Sequence, residues 1–265
     1  MTAHSTSPAQ RLLMVLDLLI EVEGDVVRRP KGVSVQQAAD QIGVHRSAAN
    51  RIMNELLGAG YAAPNPTGKG YRVGPAVQIH QGLTVEQRHL AEMAHPYLVR
   101  LVERTGECAH TAVAAGTRVI VIDDVETGQA LRVVAGRGRR VPLHCTSAGK
   151  CLMAFGAAAI PGDMPARTPQ TITTAALMSA HLDEIVGLGF ALDDEENDIG
   201  VRCLSAPVFV GISTEAIGCI GIDGPSVRVT HDAIHEMATE ITAAASELSQ
   251  QLGRQSDRID RTVGA

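Results

Sequence analysis

The stretch VQQAADQIGVHRSAANRIMN, Val35 to Asn54, constrains the fold more than any other part of the chain. It reads as two short helices joined by a tight turn. Small or apolar residues recur at Val35, Ala38, Ala39, Ile42, Val44, Ala49 and Ile52, the packing side of such a pair. Gly43 sits at the corner, where a positive φ is cheap only for glycine, and Ala39 lets two helices cross closely. The opposite side of the second helix differs. Arg46, Asn50 and Asn54 follow an i, i+4, i+8 line, and Ser47 with Arg51 makes a parallel one. That face carries guanidiniums, amides and a hydroxyl, and no carboxylate. Arg and Asn form paired hydrogen bonds with guanine and adenine edges, while Ser, Arg and backbone amides hold phosphates. Solvated helix faces are also polar, so this stretch alone leaves both readings open.

The residues after Asn54 tilt the balance toward DNA. Gly60 suits the end of the second helix. Two short runs, Tyr61 to Ala63 and Tyr71 to Val73, flank the turn-rich Pro64 to Gly70 and predict a β-hairpin. A hairpin directly after such a helix is a wing. Lys69 at its tip and Arg72 on its return strand are then expected phosphate contacts, with a solvated turn as the plain alternative. His45, ahead of the helix, completes the expected DNA-binding set of His45, Arg46, Ser47, Asn50, Arg51, Asn54, Lys69 and Arg72.

Charge is unevenly spread. Residues 1–80 carry eight Lys/Arg against six Asp/Glu, while the rest carries fifteen against twenty-three, for a total of −6. A mildly basic front and an acidic back suit a DNA-reading module joined to something that does not touch DNA. With no Trp, three Tyr and three Phe, single-strand binding by stacking is disfavoured. The start, MTAHSTSP, lacks a signal peptide's basic region and apolar core. The apolar run Leu12 to Ile20 is interrupted by Asp17 and too short to span a membrane. The five cysteines include no CxxC, so reduced thiols in a cytoplasmic protein are expected.

Along the chain, Pro8 to Ile20 reads as a support helix capped by Ser7, Glu21 to Val33 as a polar connector, and Ser34 as the cap of the helix pair. A front domain over residues 1–80 is followed by a connector helix over 81–104, which Pro96 should kink or break. Strands are expected at His110 to Ala115, Arg118 to Asp124 and Ala130 to Val134, and helices at Thr146 to Phe155 and Leu177 to Leu188. A hairpin is expected from Leu204 to Val210 and Ala216 to Asp223, then a helix capped by Thr230 to about Leu252. The back domain thus covers 105–253 and a frayed tail 254–265. The fold class is α+β.

The chain resembles the IclR family of transcriptional regulators over nearly its whole length. The front carries LLMVLDLL, the helix pair with Arg51, LLGAGY and YRVGP. The back carries RGRRVPLHCTSAGKCLMA, TITT, LDEIVGLGFALDDEENDIGVRCLSAPVF and GIDGPSVRVT, in the family's order and spacing. The resemblance implies a winged helix-turn-helix domain, a GAF-like (profilin-like) effector-binding domain, a homodimer or dimer of dimers, and a palindromic double-stranded operator. It implies no single ligand. Two features depart from the family: Ser47-Ala48 stands where two hydroxyl residues are usual, and the stretch between the first two helices is longer and more polar.

The family's pocket corresponds here to Leu131, Val133, Ser147, Ala148, Asp193, Val201, Cys203, Gly221 and Asp223. The residues themselves also point there. His144 to Lys150 should open a helix capped by Thr146 or Ser147, whose free amides favour an anion such as a carboxylate. The family often has Ser at the last-strand positions, so Gly221 and Asp223 change the pocket's size and charge, and Asp223 opposes an anionic ligand. Ser147 as a simple cap and Cys203 as a small core residue are the plain alternatives.

Two other chemistries have partial motifs in the chain. Ser147-Ala148-Gly149-Lys150 matches S-x-x-K, yet the S-D-N and K-T-G partners of an acylating enzyme are missing. Gly149-Lys150 lacks the upstream glycine and following Ser/Thr of a P-loop. His144 with Cys145 and Cys151, or His231 with His235, are loose metal candidates. The expectation is a regulator with no catalysis and no cofactor, a repressor before an activator, responding to a small organic acid. The alternative is a sensor whose front domain meets a protein.

Overall fold

The computed structural model describes residues 7–24, 28, 30–66, 70–80 and 83–263. The chain divides into two compact units at Gly82/Leu83.

The first unit contains α1 (Pro8–Gly24), α2 (Val35–Ile42), α3 (Arg46–Gly58), β1 (Ala62–Pro64), β2 (Tyr71–Val73) and α4 (Pro75–His80). Ser7 and Gln10 cap α1 reciprocally, with Gln10 N–H donating to Ser7 Oγ at 3.2 Å and Ser7 N–H to Gln10 Oε1 at 2.8 Å. Ser34 and Gln37 form the same capping box on α2. Gly43 closes α2 in the left-handed region at φ 64°, and α3 begins three residues later. Ala38, Ala39, Ile42, Ala49, Met53 and Leu56 are buried with Val15, Leu18 and Leu19 of α1 in one core. Strands β1 and β2 pair antiparallel with Ala62 opposite Val73. Val33 and Tyr71 exchange two backbone hydrogen bonds of 2.8 Å, adding a bridge beside the hairpin. The stretch 21–33 is therefore not all connector: α1 runs to Gly24, and Val33 joins the hairpin.

The second unit contains α5 (Val85–Thr105), β3 (Cys108–Ala115), β4 (Arg118–Val125), β5 (Arg140–Pro142), α6 (Ser147–Ala154), α7 (Ala175–Leu188), β6 (Ala191–Asp194), β7 (Val201–Val208), β8 (Gly218–Pro225) and α8 (His231–Val263). Six strands form one antiparallel sheet in the order β5-β4-β3-β8-β7-β6. Leu90, Ala94, Leu98 and Leu101 of α5 and Ile241, Ala244, Ala245 and Leu248 of α8 pack with Ala109, Leu204, Ile220 and Ile222. Leu152 and Met153 of α6 and Met178 and Ile185 of α7 pack with Ala112, Val119 and Cys219 in a separate core. The sheet thus lies between two helical layers.

Four sequence expectations change. Ala130 to Val134 is not a strand, because the outer edge of β4 is occupied elsewhere: Gly138 N–H donates to Val121 O at 2.8 Å, and β5 continues the ladder at Arg140. Pro96 does not break α5. It lies on the exposed side, where the carbonyl freed by the missing N–H is open to solvent. Residues 81–104 do not form a separate connector, since α5 is a core layer of the second unit. Residues 254–263 continue α8 and are not a frayed tail, in keeping with a stretch that holds no proline or glycine to stop the helix before Gly264. The short edge strand β6 carries too little apolar pattern to be read in sequence.

Candidate functional site

The first candidate surface is the outer face of α3. Ala49, Met53 and Leu56 turn inward, which leaves Arg46, Ser47, Asn50, Arg51 and Asn54 all exposed on the opposite side. His45 is the N-cap, its Nδ1 lying 3.1 Å from Ser47 Oγ and 3.4 Å from Ser47 N. Neither Arg46 nor Arg51 forms an ion pair with the described residues. Lys69 lies outside the described residues. Arg72 is not presented as a free cation: its guanidinium meets the Glu23 carboxylate of α1 with two hydrogen bonds, Nε to Oε2 at 3.1 Å and Nη2 to Oε1, and that pairing raises its pKa.

The second candidate is a cavity of about 60 Å³ at the N-terminus of α6. Thr146 is the cap, accepting from Gly149 N–H at 3.1 Å and donating to Pro142 O at 2.6 Å. The cap leaves the Ser147 and Ala148 N–H groups, at the first two helical positions, without an intrahelical acceptor, on residues that line the cavity. Gly149 is required by close packing, since a Cβ there would stand 2.1 Å from Leu143 O. Ser147 Oγ shares a 2.8 Å hydrogen bond with Ser205 Oγ on β7, which ties the helix start to the sheet. On that sheet Asp193, Cys203 and Asp223 pair in one row across β6, β7 and β8.

Seven of the nine pocket residues expected from sequence line this one cavity: Val133, Ser147, Ala148, Asp193, Val201, Cys203 and Asp223. Leu131 does not. Its side chain is 63% exposed, and only its carbonyl is engaged, by Arg228 Nη2 at 2.9 Å. Gly221 lies beneath the wall: a Cβ there would meet Ser205 Oγ at 2.5 Å and His110 Cε1 at 3.0 Å. The sequence did not point to His110, Arg139, Thr146 or Asn197 as lining residues. His110 comes opposite Gly221 through the β3–β8 pairing, which no local pattern announces.

Two carboxylates in the cavity are tuned in opposite directions. His110 Nδ1 donates to Asp223 Oδ2 at 2.6 Å, with both side chains almost wholly buried. Burial opposes the charge on His110, but the adjacent carboxylate overcomes it and carries the imidazole up to about 10. Burial raises Asp223, and the same partner more than reverses it, leaving it below its ordinary value. Asp193 has no cation bonded to it, only the more distant Lys150 charge. Burial pushes it up to about 7, against hydrogen bonds to Oδ1 from Glu196 N–H at 2.8 Å and Asn197 N–H at 3.3 Å.

Behind the cavity, the fully buried Lys150 donates to the Glu196 carboxylate and to His181 Nε2 at 3.1 Å. Thr168 and Thr171 hydroxyls bond the Glu196 carbonyl at 3.2 and 2.6 Å. These contacts fix the turn after β6, where Glu195 holds φ at 59°. Lys150 is thus bonded to Glu196 and His181 while Ser147 is bonded to Ser205, and S-x-x-K does not assemble a nucleophile with its base. The loose metal candidates are engaged separately: His144 Nε2 donates to Pro165 O at 3.0 Å, Cys145 Sγ to Asn197 Oδ1 at 3.4 Å, and Arg202 Nη2 to His231 Nε2 at 3.1 Å. No three His, Cys, Asp or Glu among the described residues form a metal-holding group.

Known proteins resolve which class this architecture serves. Residues 82–250 match the family described as "Bacterial transcriptional regulator IclR C-terminal". The chain is 29% identical to the HTH-type transcriptional regulator BhcR of Paracoccus denitrificans over 98% of its own length and 93% of that protein's. It is 27% identical to the transcriptional repressor IclR of Escherichia coli, over 95% and 93% respectively. The crystal structure of the Thermotoga maritima IclR superposes with a TM-score of 0.59 at 27% identity, covering 92% of this chain and 98% of that one. The protein is a transcriptional regulator and not an enzyme. It belongs to the IclR family. No helix among the described residues is long and apolar enough to cross a membrane.

Proposed function

We propose that the protein is a sequence-specific, ligand-responsive regulator whose first unit is a winged helix-turn-helix. On this reading α3 enters the major groove, with His45, Arg46, Ser47, Asn50, Arg51 and Asn54 at base edges and phosphates, and Lys69 reaches the backbone from the wing. The observation that carries it is the α3 face: exposed Arg46 and Arg51, unpaired among the described residues, beside Ser and Asn, with no carboxylate before Glu55 near the helix end. Arg72 supports the wing from within through Glu23 instead of touching phosphate. A homodimer, or a dimer of dimers, would place two such helices on a palindromic operator. Repression is the favoured sign, as the E. coli relative is a repressor.

The cavity at α6 is the effector site on this reading. A carboxylate is favoured by the free amides of Ser147 and Ala148 and by the positive end of the helix. Binding there biases the placement of the two front units and so couples ligand to DNA. The test is a fluorescence titration of the protein against the DNA upstream of its own and the neighbouring gene, at two salt concentrations. Tight, salt-sensitive binding that unrelated DNA does not displace is expected. Weak, equal binding to all DNA, with or without candidate acids, would overturn the DNA reading and favour a protein partner for the first unit. The variant Ser147→Leu should bind operator yet ignore every effector, and an unchanged response would place the effector elsewhere.

A further inference from the structure

We infer that the effector is a small zwitterion, an amino acid of about three or four carbons, whose carboxylate meets the α6 N-terminus and Arg139 and whose ammonium meets Asp193 Oδ2. The inference rests on the reading of the cavity as the effector site.

Asp193, Asp198 and Asp223 converge on the buried Cys203, whose thiol is pushed up by burial first and then by their negative charges. Two of the three carboxylates have cationic side-chain partners. Asp223 is held by His110, and Asp198 lies 3.8 Å from Arg167 Nη2. Asp193, 2% exposed, has no ion pair with any described residue. Its Oδ1 is used by two backbone N–H groups, and its Oδ2 is left to the cavity that the residue lines. The Lys150 charge favours the Asp193 carboxylate only from a distance, since its ammonium is bonded to Glu196 and His181.

One cation beside the cavity also lacks an ion pair, although it is exposed and its charge already favours the Asp223 carboxylate. Arg139 lines the cavity and forms no ion pair with the described residues, its Nη1 donating only to Val134 O at 3.3 Å. Together with the Ser147 and Ala148 amides it makes a positive end, while Asp193 makes a negative one. A plain carboxylate would fill the first and hold Asp193 in its protonated form, with no cation in the negative end. A plain amine would do the reverse. A ligand carrying both charges satisfies both ends.

The spacing agrees. Ser147 is fixed over Ser205 of β7, and Asp193 pairs with Cys203, two residues back on that strand. Two residues along a strand and one strand spacing across it separate the two positions by roughly 8 Å, within reach of a short amino acid with a hydrogen bond at each end. The cavity of about 60 Å³ holds roughly four water-sized bodies, which admits such a molecule.

The test is calorimetric titration of the full-length protein with matched pairs: alanine, β-alanine and 4-aminobutanoate against propionate and butanoate, with propylamine as the cation alone. At least one amino acid is expected to bind roughly 10-fold or more tightly than its des-amino partner, since a charge-assisted hydrogen bond is lost in the latter. Asp193→Asn keeps an Oδ1 acceptor for the Glu196 and Asn197 amides. It should weaken amino-acid binding roughly 10- to 100-fold while leaving propionate unchanged or improved. Equal or tighter binding of the des-amino acids overturns the zwitterion and leaves the cavity as an effector site. Binding that survives Ser147→Leu, or no binding by any member of either series, overturns both.

Discussion

His110 Nδ1 and Asp223 Oδ2 stand 2.6 Å apart across paired strands β3 and β8, although 113 residues separate them in the chain. The contact ties the central strands together and fixes the charge of the cavity wall. It also makes stability depend on pH. His110 is raised above its ordinary 6.5 to about 10, so its contribution is full below pH 6.5 and is lost as pH rises through 10. Asp223 is lowered from its ordinary 3.8, so its share is present above that value and lost on acidification. The denaturation midpoint of the second unit should therefore fall between pH about 6.5 and about 10. His110→Gln should flatten that fall and cost about 3–5 kcal/mol near neutrality, because it strands a buried carboxylate. Urea titrations across the pH range check both, and a flat wild-type profile would refute the assignment.

Lys150 and Glu196 offer a second case of a buried pair, with side chains only 0% and 7% exposed. Lys150→Met should destabilise the second unit by about 3–5 kcal/mol by leaving Glu196 alone in the interior. The double change Lys150→Met with Glu196→Leu should recover most of the loss, since an apolar pair of similar volume avoids the desolvation cost. Thermal unfolding of the two single variants and the double variant reads the coupling. Additive losses would show that the pair is not energetically linked.

Gly149 explains a motif that sequence alone leaves ambiguous. Its hydrogen faces Leu143 O, where a Cβ would come within 2.1 Å. Gly149→Ala should thus cost about 3 kcal/mol or more, the upper end for overpacking, because the obstructing atom is backbone. Gly162→Ala, where nothing lies within 4 Å, is the matched control and should be nearly neutral. Similar losses in the two variants would argue against the close approach as the cause.

Local patterns were legible and distant pairings were not. Ser34, Gly43 and the spacing of Ala38, Ala39, Ile42 and Ala49 announce α2 and α3, because caps and helical periodicity are short-range. Thr146 announces the start of α6 in the same way. His110 against Asp223 and Arg72 against Glu23 depend on tertiary pairing, which no window of sequence contains. The 130–134 segment shows the converse error: it has strand-like alternation, but the edge it needed is already taken by β5.

Arg51 and Arg72 separate recognition from support within the first unit. Arg51 is exposed and makes no ion pair with the described residues, so Arg51→Ala should change unfolding by no more than about 0.5 kcal/mol. It should weaken operator binding roughly 10- to 100-fold if the side chain reads a base edge. Arg72 is bonded to Glu23, with side chains 25% and 16% exposed. Arg72→Ala should lower the stability of the first unit by about 1–2 kcal/mol and leave the salt dependence of DNA binding unchanged, whereas loss of a phosphate contact would reduce that slope by about one. Operator titrations at several salt concentrations, paired with urea unfolding, distinguish the two roles. A stable Arg72→Ala protein with a reduced salt slope would return Arg72 to the phosphate backbone. A weakly folded Arg51→Ala protein would remove Arg51 from the reading face.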